Sequence, residues 1–173
     1  MTSASSETAA FQVTLRSPAV EDAAGVHDLV RRSGRLDVNT RYAYLIWCRD
    51  FASTSLVAEH DGAILGFVTG YRPPRDPAVY FAWQSAIDQD RPVPGLAFAM
   101  MDEITRRVRS DGARTFETTV NPSNRAVIML MRKLAAKYDG ELDVSELFGT
   151  GELGDGHEAE MLYRFSIATV RQG

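Results

Sequence analysis

At 173 residues, with one cysteine and a formal net charge of −4, the chain suits a single domain with a sizeable core and excludes an intrachain disulfide. The mild acidity, with no Lys/Arg stripe, argues against a nucleic-acid binder and suits a cationic small substrate. No apolar run approaches the roughly 20 residues of a membrane span. The start, "MTSASSETAA", lacks the basic and apolar regions of a leader and reads as a disordered tail over residues 1–10. One domain is expected over residues 11–168. Cys48 in "YAYLIWCRD" reads as a small buried side chain, and a lone thiol fits a reducing, cytoplasmic compartment.

In chain order, "FQVTLRSP" alternates apolar and polar residues like a first strand. Ser17 and Pro18, then Glu21 and Asp22, mark a helix start; Val26, Leu29 and Val30 form its apolar stripe, and Gly34 closes it. "LDVNTRYAYLIWCRDF" is a second helix capped by Asn39 or Thr40. "SLVAEH" and "AILGFVTGY" flank an Asp-Gly pair, the strongest short hairpin signal. "YRPPRDPA" is a proline loop, and "VYFAWQSAI" is the next strand. After the loop "DQDRPVPG", Ala97, Met101, Ile104 and Val108 make one core-facing helical stripe, stopped by Gly112. "RTFETTV" is a strand. "NPSNRAVIMLMRKLAAKY" is a helix with Ser123 as its expected cap and Val127, Leu130, Met131, Leu134 and Tyr138 on one face. The remainder reads as a Gly-rich acidic loop followed by the strand "AEMLYRFSI". Consecutive antiparallel strands followed by a β-helix-β unit predict a mixed sheet flanked by helices, an α+β fold.

A strand, a glycine loop and a helix start form a common seat for a phosphate-bearing cofactor, because the helix N-terminus presents N–H groups and a favourable dipole. Here two loop positions are proline: Pro92 and Pro94 cannot donate, whereas Val93, Gly95, Leu96, Ala97 and Phe98 can. The element order and the "GLA" of this loop resemble the GNAT superfamily of N-acetyltransferases. That family's loop begins with Gln or Arg three residues before the glycine, a position held here by Pro92, with Arg91 one residue earlier.

The resemblance tightens at "LDVNTRYAY", "GFVTGYRPP", "WQSAID", "ETTVNPSN" and "GHEAE", which together are similar to the L-2,4-diaminobutyrate acetyltransferases of ectoine biosynthesis, from about Leu15 to Phe165. It implies acetyl transfer from acetyl-CoA to the γ-amine of L-2,4-diaminobutyrate, a homodimer and no metal. On the cofactor side it implies contacts from Ala86, Ile87, Val93, Gly95, Leu96, Ala97, Phe98 and Asn124, with a charge contact from Arg91. Many superfamily members carry a tyrosine acid seven residues after this asparagine; this chain has Met131, so the thiol must leave as a thiolate or be protonated from elsewhere.

Only a neutral amine attacks a thioester, and the α-ammonium of such a substrate is the more acidic, so regiochemistry must come from positioning. Asp37 is the candidate carboxylate to pin the α-ammonium, with Tyr42 and Trp83 shaping the pocket. Glu158 is the candidate γ-amine contact and base, with His157 second. Glu117 reads as a structural carboxylate, and His27 and His60 attract no role. Two alternatives share these motifs: an N-acetyltransferase for another diamino acid or a polyamine, and a silent acyl-CoA-binding module.

Overall fold

The computed structural model describes residues 12–154 and 156–168; the expected tail lies outside the described residues, as does Phe11. The strands are β1 (Thr14–Arg16), β2 (Leu56–His60), β3 (Ala63–Tyr71), β4 (Val79–Ile87), β5 (Thr115–Val120), β6 (Asp143–Phe148) and β7 (Glu160–Ser166). They form one sheet in the order β1-β2-β3-β4-β5-β7-β6. Only β4 and β5 run parallel; the other neighbours are antiparallel, which is the expected mixed α+β sheet.

Helices cover both faces. On one, α1 (Ala23–Ser33) and α2 (Arg41–Asp50) bury Val26, Leu29, Val30 and Tyr44 against Val57, Ile64 and Phe67 of the sheet. On the other, α3 (Leu96–Ser110) and α4 (Arg125–Lys137) pack Met100, Ile104, Val108, Met131 and Leu134 onto Leu65, Tyr80, Phe116 and Phe165. Burial of both faces explains why β3 reads as a continuous apolar run rather than an alternating one. Deleting one such side chain, as in Leu134→Ala, removes about 2–5 kcal/mol of stability. Cys48, 4% exposed, belongs to the α1/α2 core; burial, with Asp22 adding, pushes its thiol up to about 11.

Local chemistry sets the boundaries. Thr40 caps α2 by accepting from the Ala43 N–H at 3.3 Å. Gly34 ends α1 at φ 60°. Asp61 and Gly62 both have positive φ, at 48° and 77°, as the two-residue turn between β2 and β3 requires. Asp22, not Ser17, organises the α1 start: its carboxylate accepts the Ala19 N–H at 2.7 Å and pairs with Arg16 at 2.6 Å. Likewise Asn124, not Ser123, caps α4, accepting the Val127 N–H at 3.3 Å.

The expected Gly-rich loop before the last strand is instead β6 followed by the short helix α5 (Thr150–Leu153). Among the described residues strand β6 pairs only with β7, and every one of its residues is exposed, so no burial alternation marks it in the sequence.

Candidate active site

The parallel pairing of β4 and β5 extends only from Val79↔Thr115 to Ala82↔Thr118, where the Thr118 hydroxyl donates to the Ala82 carbonyl at 2.9 Å. Beyond that point Trp83–Ile87 continue along β3 alone, while β5, paired with β7 along its whole length, continues with β7 alone. The sheet therefore splits, leaving the β5-facing backbone groups of β4 without a strand partner. A cavity of about 810 Å³ opens at this split, between the end of β4, the N-terminal turns of α3 and α4, and the segment after α1. That volume is in the range of small-molecule and cofactor sites.

Of the expected cofactor residues, Ala86, Ile87, Gly95, Ala97, Phe98 and Asn124 line this cavity. Gly95 is the N-cap of α3 with φ 77°, a conformation costly for a residue with a Cβ, and a Cβ there would meet nothing within 4 Å. The Leu96 N–H turns back to the Val93 carbonyl at 3.2 Å. Those of Gly95, Ala97 and Phe98 find no acceptor among the described residues, and three such groups at a helix N-terminus favour an anion. Leu96 is buried in the core, and Val93 packs against it. Arg91 is held by Asp88 at 2.8 Å and is not among the lining residues. Asn124 spends its Oδ1 on the helix cap, which leaves its NH₂ group to the cavity it lines.

The cationic lining comes from Arg35, Arg132 and Lys133, which sequence reasoning missed. Lys133 also sits 4.3 Å above the Phe98 ring. Among the described residues none of the three is paired with a carboxylate. A local excess of positive charge in an acidic protein suits a polyphosphorylated ligand. Ser33, Leu36, Gln89 and Met129 complete the wall. The only local signal for this set is a second stripe on α4, Ala126, Met129, Leu130 and Lys133, at helical spacing beside the core stripe.

The expected substrate residues lie away from this cavity's lining. A β-bulge in β4, where Thr69 pairs with Gln84 and Gly70 with Ala82, leaves Trp83 as the extra residue. Trp83 stacks on Trp47 of α2 at 4.9 Å and 20°, beside Tyr71 and Phe51. The neighbouring Gln84, 8% exposed, accepts from the Tyr44 hydroxyl at 3.1 Å and donates to the Asp37 carbonyl at 3.2 Å. The Asp37 loop is thereby docked on β4 with its carboxylate exposed, and Tyr42 is 70% exposed nearby in the chain.

On the other side of the split, His157 and Glu158 precede β7 and are exposed. The Ser123 hydroxyl donates to Glu158 Oε2 at 2.5 Å, and the Asn121 amide donates to Glu160 at 3.0 Å. These bonds hold the segment against the loop that ends in Asn124. Met131 is completely buried, so nothing at that position can protonate a leaving group. Glu117 is buried between Arg75 at 3.1 Å and Arg164 at 2.8 Å, a structural ion triad as its sequence context suggested. His60 Nδ1 meets the Gln12 carbonyl at 2.8 Å, and His27 packs on Tyr44.

A split mixed sheet, a helix start with free N–H groups and a cationic cavity between two helices define a seat for a polyphosphorylated ligand at the sheet's opening. The family model of the acetyltransferase (GNAT) family matches residues 24–136. The L-2,4-diaminobutyric acid acetyltransferase of Nocardia farcinica is 39% identical over 158 residues, 91% of this chain and 81% of that protein. Its counterpart from Streptomyces anulatus is 42% identical over 156 residues, covering 88% of each. The structure of diaminobutyrate acetyltransferase from Paenibacillus lautus, in complex with its substrate L-2,4-diaminobutyric acid and coenzyme A, superimposes with a TM-score of 0.86. It is 33% identical and covers 94% of this chain and 99% of that one. The chain belongs to the acetyltransferase (GNAT) family and, within it, to the L-2,4-diaminobutyric acid acetyltransferases.

Proposed function

We propose that this protein transfers the acetyl group of acetyl-CoA to the γ-amine of L-2,4-diaminobutyrate, giving N4-acetyl-L-2,4-diaminobutyrate and coenzyme A, a step of ectoine biosynthesis. The observation that carries this reading is the cavity at the β4–β5 split, with free helix-start N–H groups and three cations along its wall. The pyrophosphate meets Gly95, Ala97 and Phe98, and the pantetheine amides follow the unpaired edge of β4 past Ala86 and Ile87 toward Asn124.

Chemically, the γ-ammonium gives up a proton, the neutral nitrogen adds to the thioester carbonyl, the now cationic nitrogen releases its second proton to solvent, and the tetrahedral intermediate collapses to the amide by breaking the C–S bond. An N–H on the open edge of β4 is the donor at hand for the developing oxyanion. The departing sulfur leaves as a thiolate, feasible for a thiol whose ordinary pKa is about 8.5. Glu158 is the proton acceptor, with Oε2 held by Ser123 and Oε1 left for the amine, and His157 is the second candidate. Asp37 pins the α-ammonium, with Tyr42 and Trp83 bounding the carbon chain. We further read residues 11–168 as one acetyltransferase domain, acting as a cytoplasmic homodimer. The exposed apolar side chains of the edge strand β6 support a dimer.

The test is a product-resolved assay with acetyl-CoA, by NMR. Acetyl on the γ-nitrogen, with much slower turnover of ornithine, lysine and 1,3-diaminopropane, is the expected outcome. Acetyl on the α-nitrogen sinks the role of Asp37, and preference for 1,3-diaminopropane makes the enzyme a polyamine acetyltransferase. In the same assay Glu158→Gln lowers turnover by ~10²-fold if Glu158 is the base.

A further inference from the structure

Asp88 closes β4 and is 2% exposed. Its own N–H donates to the Leu65 carbonyl at 2.7 Å, fixing it to β3. Its carboxylate receives donors from two segments, the proline loop and the end of α1, and so ties both to the end of β4. Arg91 binds Oδ2 through Nε at 3.0 Å and Nη2 at 2.8 Å. The Asp90 N–H reaches Oδ1 at 3.0 Å. Arg32, in the last turn of α1, reaches the same carboxylate at 3.2 and 3.4 Å. All three lead directly into the cavity wall: Ile87 precedes Asp88, Ser33 and Arg35 follow Arg32, and the proline loop from Arg91 ends at Gly95.

We propose that Asp88 is a positioning residue for cofactor binding, holding the proline loop and the end of α1 in the anion-receiving arrangement before the cofactor arrives. This rests on the reading that the cavity receives acetyl-CoA. The loop has lost two N–H donors to Pro92 and Pro94. A loop already fixed in its bound shape recovers affinity by losing less freedom on binding. Arg91 then acts through Asp88 and the loop, and not as a direct partner of phosphate.

The experiment compares wild type with Asp88→Asn, using acetyl-CoA and S-acetylpantetheine, a donor without the pyrophosphate. The variant is expected to raise KM for acetyl-CoA, and the coenzyme A Kd by calorimetry, roughly tenfold, the scale of one charge-assisted hydrogen bond. Its kcat, its KM for diaminobutyrate and its KM for S-acetylpantetheine stay at wild-type values. Arg91→Ala is expected to add nothing in the Asp88→Asn background, whereas an additive loss shows Arg91 on the phosphates and overturns the proposal. Equal losses with both donors, or an unchanged KM for acetyl-CoA, overturn it as well. If Asp88→Asn does not fold, Arg32→Ala decides: it lies outside the cavity lining, and selective loss of acetyl-CoA affinity supports the latch while none refutes it. A wild-type protein that binds no coenzyme A refutes the cofactor reading itself, and the proposal with it.

Discussion

Gln84 joins α2, the Asp37 loop and β4 through one buried amide, accepting from Tyr44 and donating to the Asp37 carbonyl. Replacing it with leucine strands the buried Tyr44 hydroxyl, at a cost of about 1–3 kcal/mol, and releases the loop. Gln84→Leu is therefore expected to lower Tm and raise KM for diaminobutyrate several-fold, with KM for acetyl-CoA unchanged; steady-state kinetics in each substrate checks the split. Equal KM values in wild type and variant would detach Gln84 from the substrate loop. At this scale the sequence exposed residues whose chemistry is local. Gly95 could be read from the turn it must make, and Asn124 from its place before a helix. Arg35, Arg132 and Lys133 were hidden because they converge only once α1 and α4 have docked on either side of the split. Arg91 looked available to a ligand because its partner Asp88, only three residues earlier, reads as a solvated loop carboxylate, and only the packed fold buries it.

Element order was legible wherever a stripe or a turn had one clear period. The α3 stripe illustrates both the success and its edge: Met101, Ile104 and Val108 are buried as expected, while Ala97 is half-buried and lines the cavity. Strand β6 was illegible for the opposite reason, since it buries nothing and its acidic neighbours resemble a loop. Val144, Leu147 and Phe148 stand exposed on this sheet edge, a place where soluble chains normally put charge. If β6 is the dimer face, Leu147→Lys with Phe148→Lys is expected to yield monomers in sedimentation analysis while the far-ultraviolet spectrum is kept. A double variant that stays dimeric moves the interface elsewhere.

Across the whole molecule, an acidic chain builds a cationic cavity by spending its buried carboxylates on structural arginines. Hydrogen bonds from Arg16 hold the Asp22 carboxyl below the usual carboxylate range despite its burial. For Asp88 burial pushes upward, but the bonds from Arg91 and Asp90 and the charge of Arg32 outweigh it, and the net direction is down. Both folded-state values lie below the unfolded one. Their contribution is thus complete above the unfolded value of about 3.9 and is lost as pH falls through the folded values. Thermal unfolding between pH 7 and pH 3 is expected to show Tm falling steeply below about pH 4, with a shallower fall in Asp22→Asn. Identical acid profiles would remove Asp22 from that account. The buried thiol has a practical corollary. Disulfide reagents that follow the free coenzyme A released at each turnover react with thiolates. With its one cysteine enclosed and protonated at neutral pH, the folded enzyme is silent to such a reagent, so the colour that develops counts product alone.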